Sequence, residues 1–257
     1  MQTSEHQSTT QTTQLTFGSL FSGIGGLDLG LERAGMRCLW QSEIDHYASR
    51  VLNKHWPNTP NLGDIRDINW TTVPRTDVIC GGYPCQPFSV AGQRNGVNDP
   101  RHLWPYFADA IRILRPRYAL LENVAGHLTL GFGSVASDLA SLGYDIQWDC
   151  IPASSVGAPH RRDRLFILAH TTRSDGNRPP QQPRMASTRW ATPKPREPYS
   201  NRKPADHWST RQPDIPRVAD GIPHRLDRLR TLGNAVVPQV AEHIGHIINQ
   251  HHHTLNK

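Results

Sequence analysis

Short apolar runs alternate with amphipathic stretches from Leu15 to Ala169, and this alternation constrains the fold more than any other feature of the chain. The runs have the length of strands, and the stretches between them carry apolar residues at helical spacing. Strands are predicted at 15–21, 37–41, 77–80, 118–121, 144–151 and 165–169, and helices at 27–34, 44–56, 102–114, 134–142 and 236–248. This order predicts an α/β fold with a mostly parallel sheet and helices on both faces. Ligands of such sheets bind beyond the carboxyl ends of the strands.

A glycine-rich loop, Phe-Ser-Gly-Ile-Gly-Gly at 21–26, follows the first predicted strand. Its glycines let a ligand approach the backbone and the amino end of the next helix. Glu43 ends the second strand, where a carboxylate can accept both hydroxyls of a ribose. Asp64 follows a third strand-like stretch beside Ile65, a combination that suits an adenine amino group and ring. A tight turn at the loop and a turn aspartate at 64 explain the same residues, and the loop lacks the Gly-Lys-Ser/Thr of a phosphate loop.

A second loop, at 81–89, presents one cysteine after the buried strand 77–80. Cys85 stands in this loop rather than in a strand, and a deprotonated thiol is a strong nucleophile. Glu122 ends the next strand, where burial would raise its pKa and let it donate a proton near neutral pH. Arg162 and Arg164 alternate at the start of the last strand, which predicts that both lie on one face of it. The remaining cysteines are interpreted as structural: Cys38, Cys80 and Cys150.

Five ordered motifs resemble those of the DNA (cytosine-5-)-methyltransferases. They are the glycine loop at 21–26, Pro84-Cys85-Gln86, Glu122-Asn123-Val124, the segment 160–164 and the segment 233–238. The segment 160–164 departs from the family's Gln-x-Arg-x-Arg pattern, because His160 stands in place of the glutamine. The resemblance covers most of 17–169 and returns at 232–245. It implies a Rossmann-like, S-adenosylmethionine-dependent methyltransferase fold.

The resemblance also implies an activity and its residues. It implies transfer of a methyl group from S-adenosyl-L-methionine to carbon 5 of cytosine in double-stranded DNA, through a covalent adduct of Cys85 with a flipped-out base. Glu122, Asn123, Arg162 and Arg164 would assist this reaction, which requires no metal. The implied donor-binding residues are Phe21, Ser22, Gly23, Ile24, Gly25, Gly26, Glu43, Ile44, Asp64, Ile65, Pro84, Asn234 and Ala235. The implied DNA-binding residues are Gln86, Ser89, Arg94 and Arg162.

Positive charge is concentrated in residues 171–230, which hold 13 Lys and Arg against 6 Asp and Glu in a chain of net charge +6. The same segment contains 10 of the 21 prolines. This composition suits a disordered linker and a phosphate-contacting segment equally well. The resemblance favours a short, irregular target-recognition region at 171–230. It places the catalytic domain at 15–170 and 231–250, after a disordered tail at 1–14.

Several function classes are disfavoured. No apolar run approaches the roughly 18 residues of a membrane span, and residues 1–16 lack the basic and apolar parts of a secretion signal. A cytoplasmic monomer acting on DNA is therefore expected, with a cognate restriction endonuclease as a further partner. The three histidines at 251–253 are interpreted as a solvated end. The alternatives are methylation of RNA and non-catalytic DNA binding, while a nicotinamide oxidoreductase leaves Pro84-Cys85-Gln86 unexplained.

Overall fold

The structure is a computed structural model, and it describes residues 14–84, 103–171 and 231–255. Its strands are β1 (Thr16–Leu20), β2 (Arg37–Ser42), β3 (Val78–Gly81), β4 (Tyr118–Val124), β5 (Asp145–Pro152) and β6 (Asp163–His170). Its helices are α1 (Gly26–Arg33), α2 (His46–His55), α3 (Trp104–Leu114), α4 (Phe132–Ser141) and α5 (Pro238–Leu255). Each predicted strand and helix is present with shifted ends. The strand-like stretch before Asp64 is reduced to one isolated bridge between Gln41 and Asn61.

The strands form one six-stranded sheet in the order β2-β1-β3-β4-β6-β5. The first four strands in this order are parallel to one another, whereas β6 runs antiparallel to both β4 and β5. The mostly parallel sheet predicted from the sequence is therefore confirmed, with one reversed strand. The segment 153–162 between β5 and β6 is shorter than the dozen or more residues that a parallel crossover needs, so these two neighbours must be antiparallel.

Helices cover both faces of the sheet and enclose two hydrophobic cores. One core lies against α3 and α4, and the other lies against α1 and α5. Successive residues of β4 enter opposite cores, because side chains of a strand alternate between its faces. Ala119 and Leu121 belong to the first core, while Tyr118 and Leu120 belong to the second.

Two glycines bring α1 and α5 into close contact. A Cβ on Gly30 would lie 2.4 Å from the Ala241 Cβ, and a Cβ on Gly245 would lie 2.6 Å from the Ala34 Cβ. Only glycine permits this approach of the two helix backbones. The approach holds the residues just before α5 beside the residues just before α1.

Two of the three histidines near the end of α5 contact residues at the sheet, so their interpretation as a solvated end is wrong for His251 and His252, whereas His253 is exposed. The His251 Nδ1 lies 3.0 Å from the Tyr118 hydroxyl, and its ring centroid lies 4.9 Å from that of His170. His252 contacts the Arg117 guanidinium at 3.0 Å. Across the described ranges, no helix is long and apolar enough to cross a membrane.

Candidate active site

One edge of the sheet collects the predicted site residues that the structure describes. The glycine loop follows β1, Glu43 follows β2, and residues 82–84 follow β3. Glu122 and Asn123 lie at the end of β4. The arginine motif leads into β6, whose first residues are Asp163 and Arg164, and it reaches the same edge because β6 runs in the opposite direction. Cys85, Gln86, Ser89 and Arg94 lie outside the described residues.

Glu43 ties the glycine loop to the end of β2. Its Oε2 accepts a hydrogen bond of 2.7 Å from the Gly23 amide, and its Oε1 accepts one of 2.7 Å from the Asp45 amide. Gly23 has a φ of 57°, in the left-handed region, and the atom nearest to where a Cβ would stand is the Phe21 carbonyl oxygen, at 4.0 Å. The loop therefore offers an open stretch of backbone directly beside a carboxylate.

In the turn at 63–65, Asp64 is paired with a neighbouring arginine, whereas Ile65 is buried in the core. The Asp64 carboxylate is held by Arg66, whose Nε lies 3.0 Å from both carboxylate oxygens, and this pairing lowers the pKa of Asp64. Ile65 is only 4% exposed and belongs to the core with Trp70, so most of its side chain faces the interior. Ile44 is 62% exposed, so it is an apolar side chain at this edge that a bound ring could contact.

Asn123 fixes the backbone that leads toward Cys85. Its Nδ2 donates a hydrogen bond of 3.1 Å to the Tyr83 carbonyl oxygen, and its side chain is 4% exposed. Pro84, the next residue, is the last one described before Cys85. A buried amide therefore holds the main chain two residues before the predicted nucleophile.

Glu122 is a buried acid in contact with a guanidinium. Burial raises its pKa to about 7, although the positive charge of Arg164 opposes the shift. The Arg164 Nε lies 3.1 Å from the Glu122 Oε1, because Arg164 pairs with Val124 in the β4–β6 ladder and so faces the same side as Glu122. A Cβ on Gly82 would lie 2.6 Å from the Glu122 Oε2. The glycine thus lets the backbone after β3 approach the acid.

Arg162 does not share a strand face with Arg164, so that prediction is wrong. It precedes β6 and has a φ of 39°, which turns the chain out of the extended conformation. Its Nη2 donates hydrogen bonds of 2.7 Å to the carbonyl oxygens of Gly233 and Ala235. The guanidinium is directed to the segment 233–238 rather than to Glu122.

The segment 233–238 packs against the start of α1. A Cβ on Gly26 would lie 2.4 Å from the Val236 carbonyl oxygen, so the two backbones touch there. Asn234 is exposed beside this contact, and Ala235 is half-buried. Two motifs about 210 residues apart in the chain therefore meet at one edge of the sheet.

Three buried polar side chains at this edge were not singled out from the sequence. Asp28 is fully buried, accepts hydrogen bonds from Ser19 and Gln41, and has a pKa raised to about 6 by burial. Tyr83 and His127 contact each other in the interior. The spacing of Asp28 on α1 marks it as inward-facing, whereas no sequence pattern links Tyr83 with His127. In the described segments, no three His, Cys, Asp or Glu side chains form a group that could hold a metal.

The sheet and its edge define the Rossmann-like fold of S-adenosylmethionine-dependent methyltransferases. The profile of the C-5 cytosine-specific DNA methylase family matches residues 15–221, and the chain belongs to this family.

Similar proteins include several named methyltransferases. The chain is 40% identical over 162 residues to the Type II methyltransferase M.BsuFI of Bacillus subtilis, covering 60% of this chain and 39% of the relative. It is 34% identical over 165 residues to M.HhaI of Haemophilus parahaemolyticus, covering 62% and 50%. A DNMT2 mutant structure from Spodoptera frugiperda matches with a TM-score of 0.50 and 25% identity, covering 61% and 50%. The chain thus spans half or less of the length of these curated relatives.

Proposed function

We propose that this chain transfers a methyl group from S-adenosyl-L-methionine to carbon 5 of cytosine in double-stranded DNA. The observation that carries the proposal is Glu122. It is a buried acid with a pKa of about 7, and it lies in contact with Arg164 and beside the backbone that leads to Cys85. An acid with this pKa is half protonated at neutral pH, so it can both donate a proton and take one back.

The chemistry explains why a thiol and an acid are needed together. Carbon 5 of an aromatic pyrimidine is a poor nucleophile. The Cys85 thiolate attacks carbon 6 and forms a sulfur–carbon bond, while Glu122 donates its proton to ring nitrogen 3 and neutralises the developing charge. Carbon 5 then takes the methyl group and loses its proton to a base. Elimination breaks the sulfur–carbon bond and returns the thiolate, while the proton on ring nitrogen 3 goes back to the Glu122 carboxylate.

The neighbouring side chains support this assignment of roles. Arg164 contacts Glu122 directly, so it can hold both the acid and the oxygen of a bound base. Asn123 orders the backbone at Tyr83 and Pro84. Arg162 contributes through the segment 233–238, to which it donates two hydrogen bonds.

The edge between the glycine loop and the turn at 63–65 fits the methyl donor. Gly23 and Gly63 both have left-handed backbones; a Cβ on Gly63 would meet nothing within 4 Å, and a Cβ on Gly23 would meet only the Phe21 carbonyl oxygen at 4.0 Å. Glu43 would accept the ribose hydroxyls, and Ile44 would contact the adenine ring. Phe21, Asp64 and Asn234 complete the set. When bound, the donor supplies an electrophilic methyl group.

The target base cannot be reached within a stacked duplex, so it must leave the helix. We assign target recognition to the basic residues 171–230 and the chemistry to 15–170 and 231–250. Gln86, Ser89 and Arg94 are assigned to DNA contacts. The Type II names of the relatives support a restriction-modification context with a cognate endonuclease. We expect the protein to act inside the cell as a monomer.

A covalent trap tests the proposal. Duplex DNA that carries 5-fluorocytosine at the target position should capture the wild-type protein in the presence of the donor, because carbon 5 then has no proton to lose. Cys85→Ser should abolish capture and methyl transfer but leave donor binding intact, since a hydroxyl ionises far less readily than a thiol.

The matched control is Cys150→Ser, which removes a half-buried thiol on β5 and should be captured normally. Methylation by Cys85→Ser, or the absence of an adduct with the wild-type protein, would overturn the mechanism. An RNA duplex of the same sequence is included in the assay. Preferential methylation of that RNA would overturn the DNA assignment.

A further inference from the structure

A buried hydrogen bond joins Tyr83, two residues before Cys85, to His127, five residues after Glu122. The Tyr83 hydroxyl oxygen lies 2.6 Å from the His127 Nε2, and the side chains are 5% and 1% exposed. The Tyr83 ring also packs against Trp104 and Phe107 of α3, with centroid distances of 5.3 and 6.1 Å. The hydroxyl is thus the polar end of a ring that is otherwise enclosed by aromatic side chains.

Burial of His127 has an electrostatic consequence. It lowers the pKa of His127 and favours the neutral ring, while a hydrogen bond to the backbone of Leu130 favours the protonated form. A neutral imidazole has one donor nitrogen and one acceptor nitrogen, and a tyrosine hydroxyl can donate or accept, so the two groups can share a hydrogen bond in either direction.

Two hydrogen bonds therefore fix Tyr83, and both come from the segment 123–127. Asn123 binds the Tyr83 main-chain carbonyl, and His127 binds the Tyr83 side chain. Both lie within a few residues of Glu122, and the 3-10 turn at 125–128 carries His127 directly after β4. Any movement of Tyr83 relative to this segment would alter the spacing between the backbone leading to Cys85 and the acid.

We propose that His127 is a positioning residue for methyl transfer, acting through Tyr83 to hold the backbone before Cys85 in register with Glu122. The inference rests on the proposed function. A purely structural contact would not require polar atoms here, because a phenylalanine at 83 and an aliphatic side chain at 127 would fill the same interior without a buried hydroxyl to satisfy. The polar pair fixes orientation as well as volume.

A double-mutant cycle tests the inference on the full-length protein. Tyr83→Phe keeps the ring and loses the hydroxyl, so the rate of covalent capture on 5-fluorocytosine DNA should fall about fivefold. His127→Leu removes the ring nitrogen that is hydrogen-bonded to the buried Tyr83 hydroxyl and should slow capture roughly thirtyfold. The double variant Tyr83→Phe/His127→Leu should be no slower than His127→Leu alone, because each single variant already lacks the Tyr83–His127 bond. His127→Gln, which restores a hydrogen-bonding side chain, should recover part of the loss.

Affinity for the methyl donor separates positioning from general damage. The dissociation constant for S-adenosyl-L-methionine should stay at the wild-type value in every variant, because Tyr83 and His127 are not among the assigned donor contacts. The controls are Tyr106→Phe on α3 and His55→Leu on α2, both exposed, which should be captured at the wild-type rate.

The outcomes distinguish this inference from the proposed function. If the wild-type protein is not captured and methylates nothing, the proposed function fails. If the wild-type protein is captured and Tyr83→Phe and His127→Leu match it in rate, the function stands and the positioning role is overturned. Independent, multiplicative losses in the double variant, or a parallel loss of donor affinity, would also overturn it.

Discussion

Glu122 shows how one residue acquires a useful pKa from two opposing influences. Burial raises the pKa, and the charges of Arg164 and Arg162 lower it, with a balance at about 7. Burial alone would hold the carboxyl protonated, and the arginines alone would hold it ionised. The residue is therefore able to exchange a proton at neutral pH only in this arrangement.

This balance predicts the pH dependence of the reaction. The protonated form of Glu122 is required, so kcat/KM should fall as the pH rises through about 7. In Arg164→Met, the fall should move to higher pH, because removal of the arginine charge raises the pKa of Glu122 further. Values of kcat/KM measured from pH 5.5 to 9 would show where the fall occurs in each protein. A fall at the same pH in both proteins would contradict the assignment.

Glu43 and Asp64 give a prediction about donor affinity. Glu43→Ala and Asp64→Ala should each weaken binding of S-adenosyl-L-methionine by about 1.5–3 kcal/mol, the range for a hydrogen bond to a charged group. Asp109→Ala is the control, because Asp109 is an exposed carboxylate on α3 paired with Arg112. Calorimetric titration measures all three. Unchanged dissociation constants in Glu43→Ala and Asp64→Ala would place the donor elsewhere.

Among the elements, the reversed strand β6 and helix α5 complete the site. β6 delivers Arg164 to the acid because it runs antiparallel to β4. α5 follows the segment that Arg162 holds through two carbonyl oxygens. The arginine motif thus contacts Glu122 through Arg164 and the segment 233–238 through Arg162.

Loss of the two hydrogen bonds from Arg162 should make the segment 233–238 less stable. Arg162→Met should lower the free energy of unfolding by about 2–3 kcal/mol, since two carbonyl groups lose a charged donor. It should also speed amide hydrogen exchange in residues 231–237. Arg161→Met is the matched control, because Arg161 is 83% exposed and its ion pair with Asp163 contributes little. Equal exchange rates in the two variants would show that Arg162 does not hold the segment.

At the scale of the whole molecule, the charge is divided unevenly. Residues 171–230 carry 13 basic against 6 acidic residues, which leaves 15 against 16 in the rest of the chain. Eleven of the 13 basic residues are arginine, whose planar guanidinium can pair with guanine edges as well as with phosphates. This segment lies outside the described residues apart from Thr171.

The charge division predicts where sequence preference resides. Individual arginine-to-alanine variants within 171–217, followed by bisulfite sequencing, should relax single positions of the methylated motif where an arginine reads a base. A variant that loses only a phosphate contact should weaken all sites alike and reduce the salt dependence. An unchanged motif in every variant would place recognition elsewhere in the chain.

Local patterns in the sequence were enough for the fold class and for the expectation that the candidate site residues gather at one edge of the sheet. Within the described residues, hydrophobic periodicity predicted the six strands and the five α-helices, and the parallel order brought the loops after β1, β2 and β3 to one edge. The resemblance drawn from five short motifs is confirmed at the level of the family. These features depend on residues close together in the chain, which is why they can be read without a structure.

Only the tertiary structure decided the contacts between distant segments. The left-handed turn at Arg162, the burial of Ile65 and the docking of His251 on Tyr118 all depend on which elements become neighbours. The same holds for Tyr83 and His127, which lie 44 residues apart. A local pattern shows which way a side chain faces but not what it meets there. The partner is set by strand pairing and helix packing, so the sequence determined the framework and the fold determined the contacts within the site.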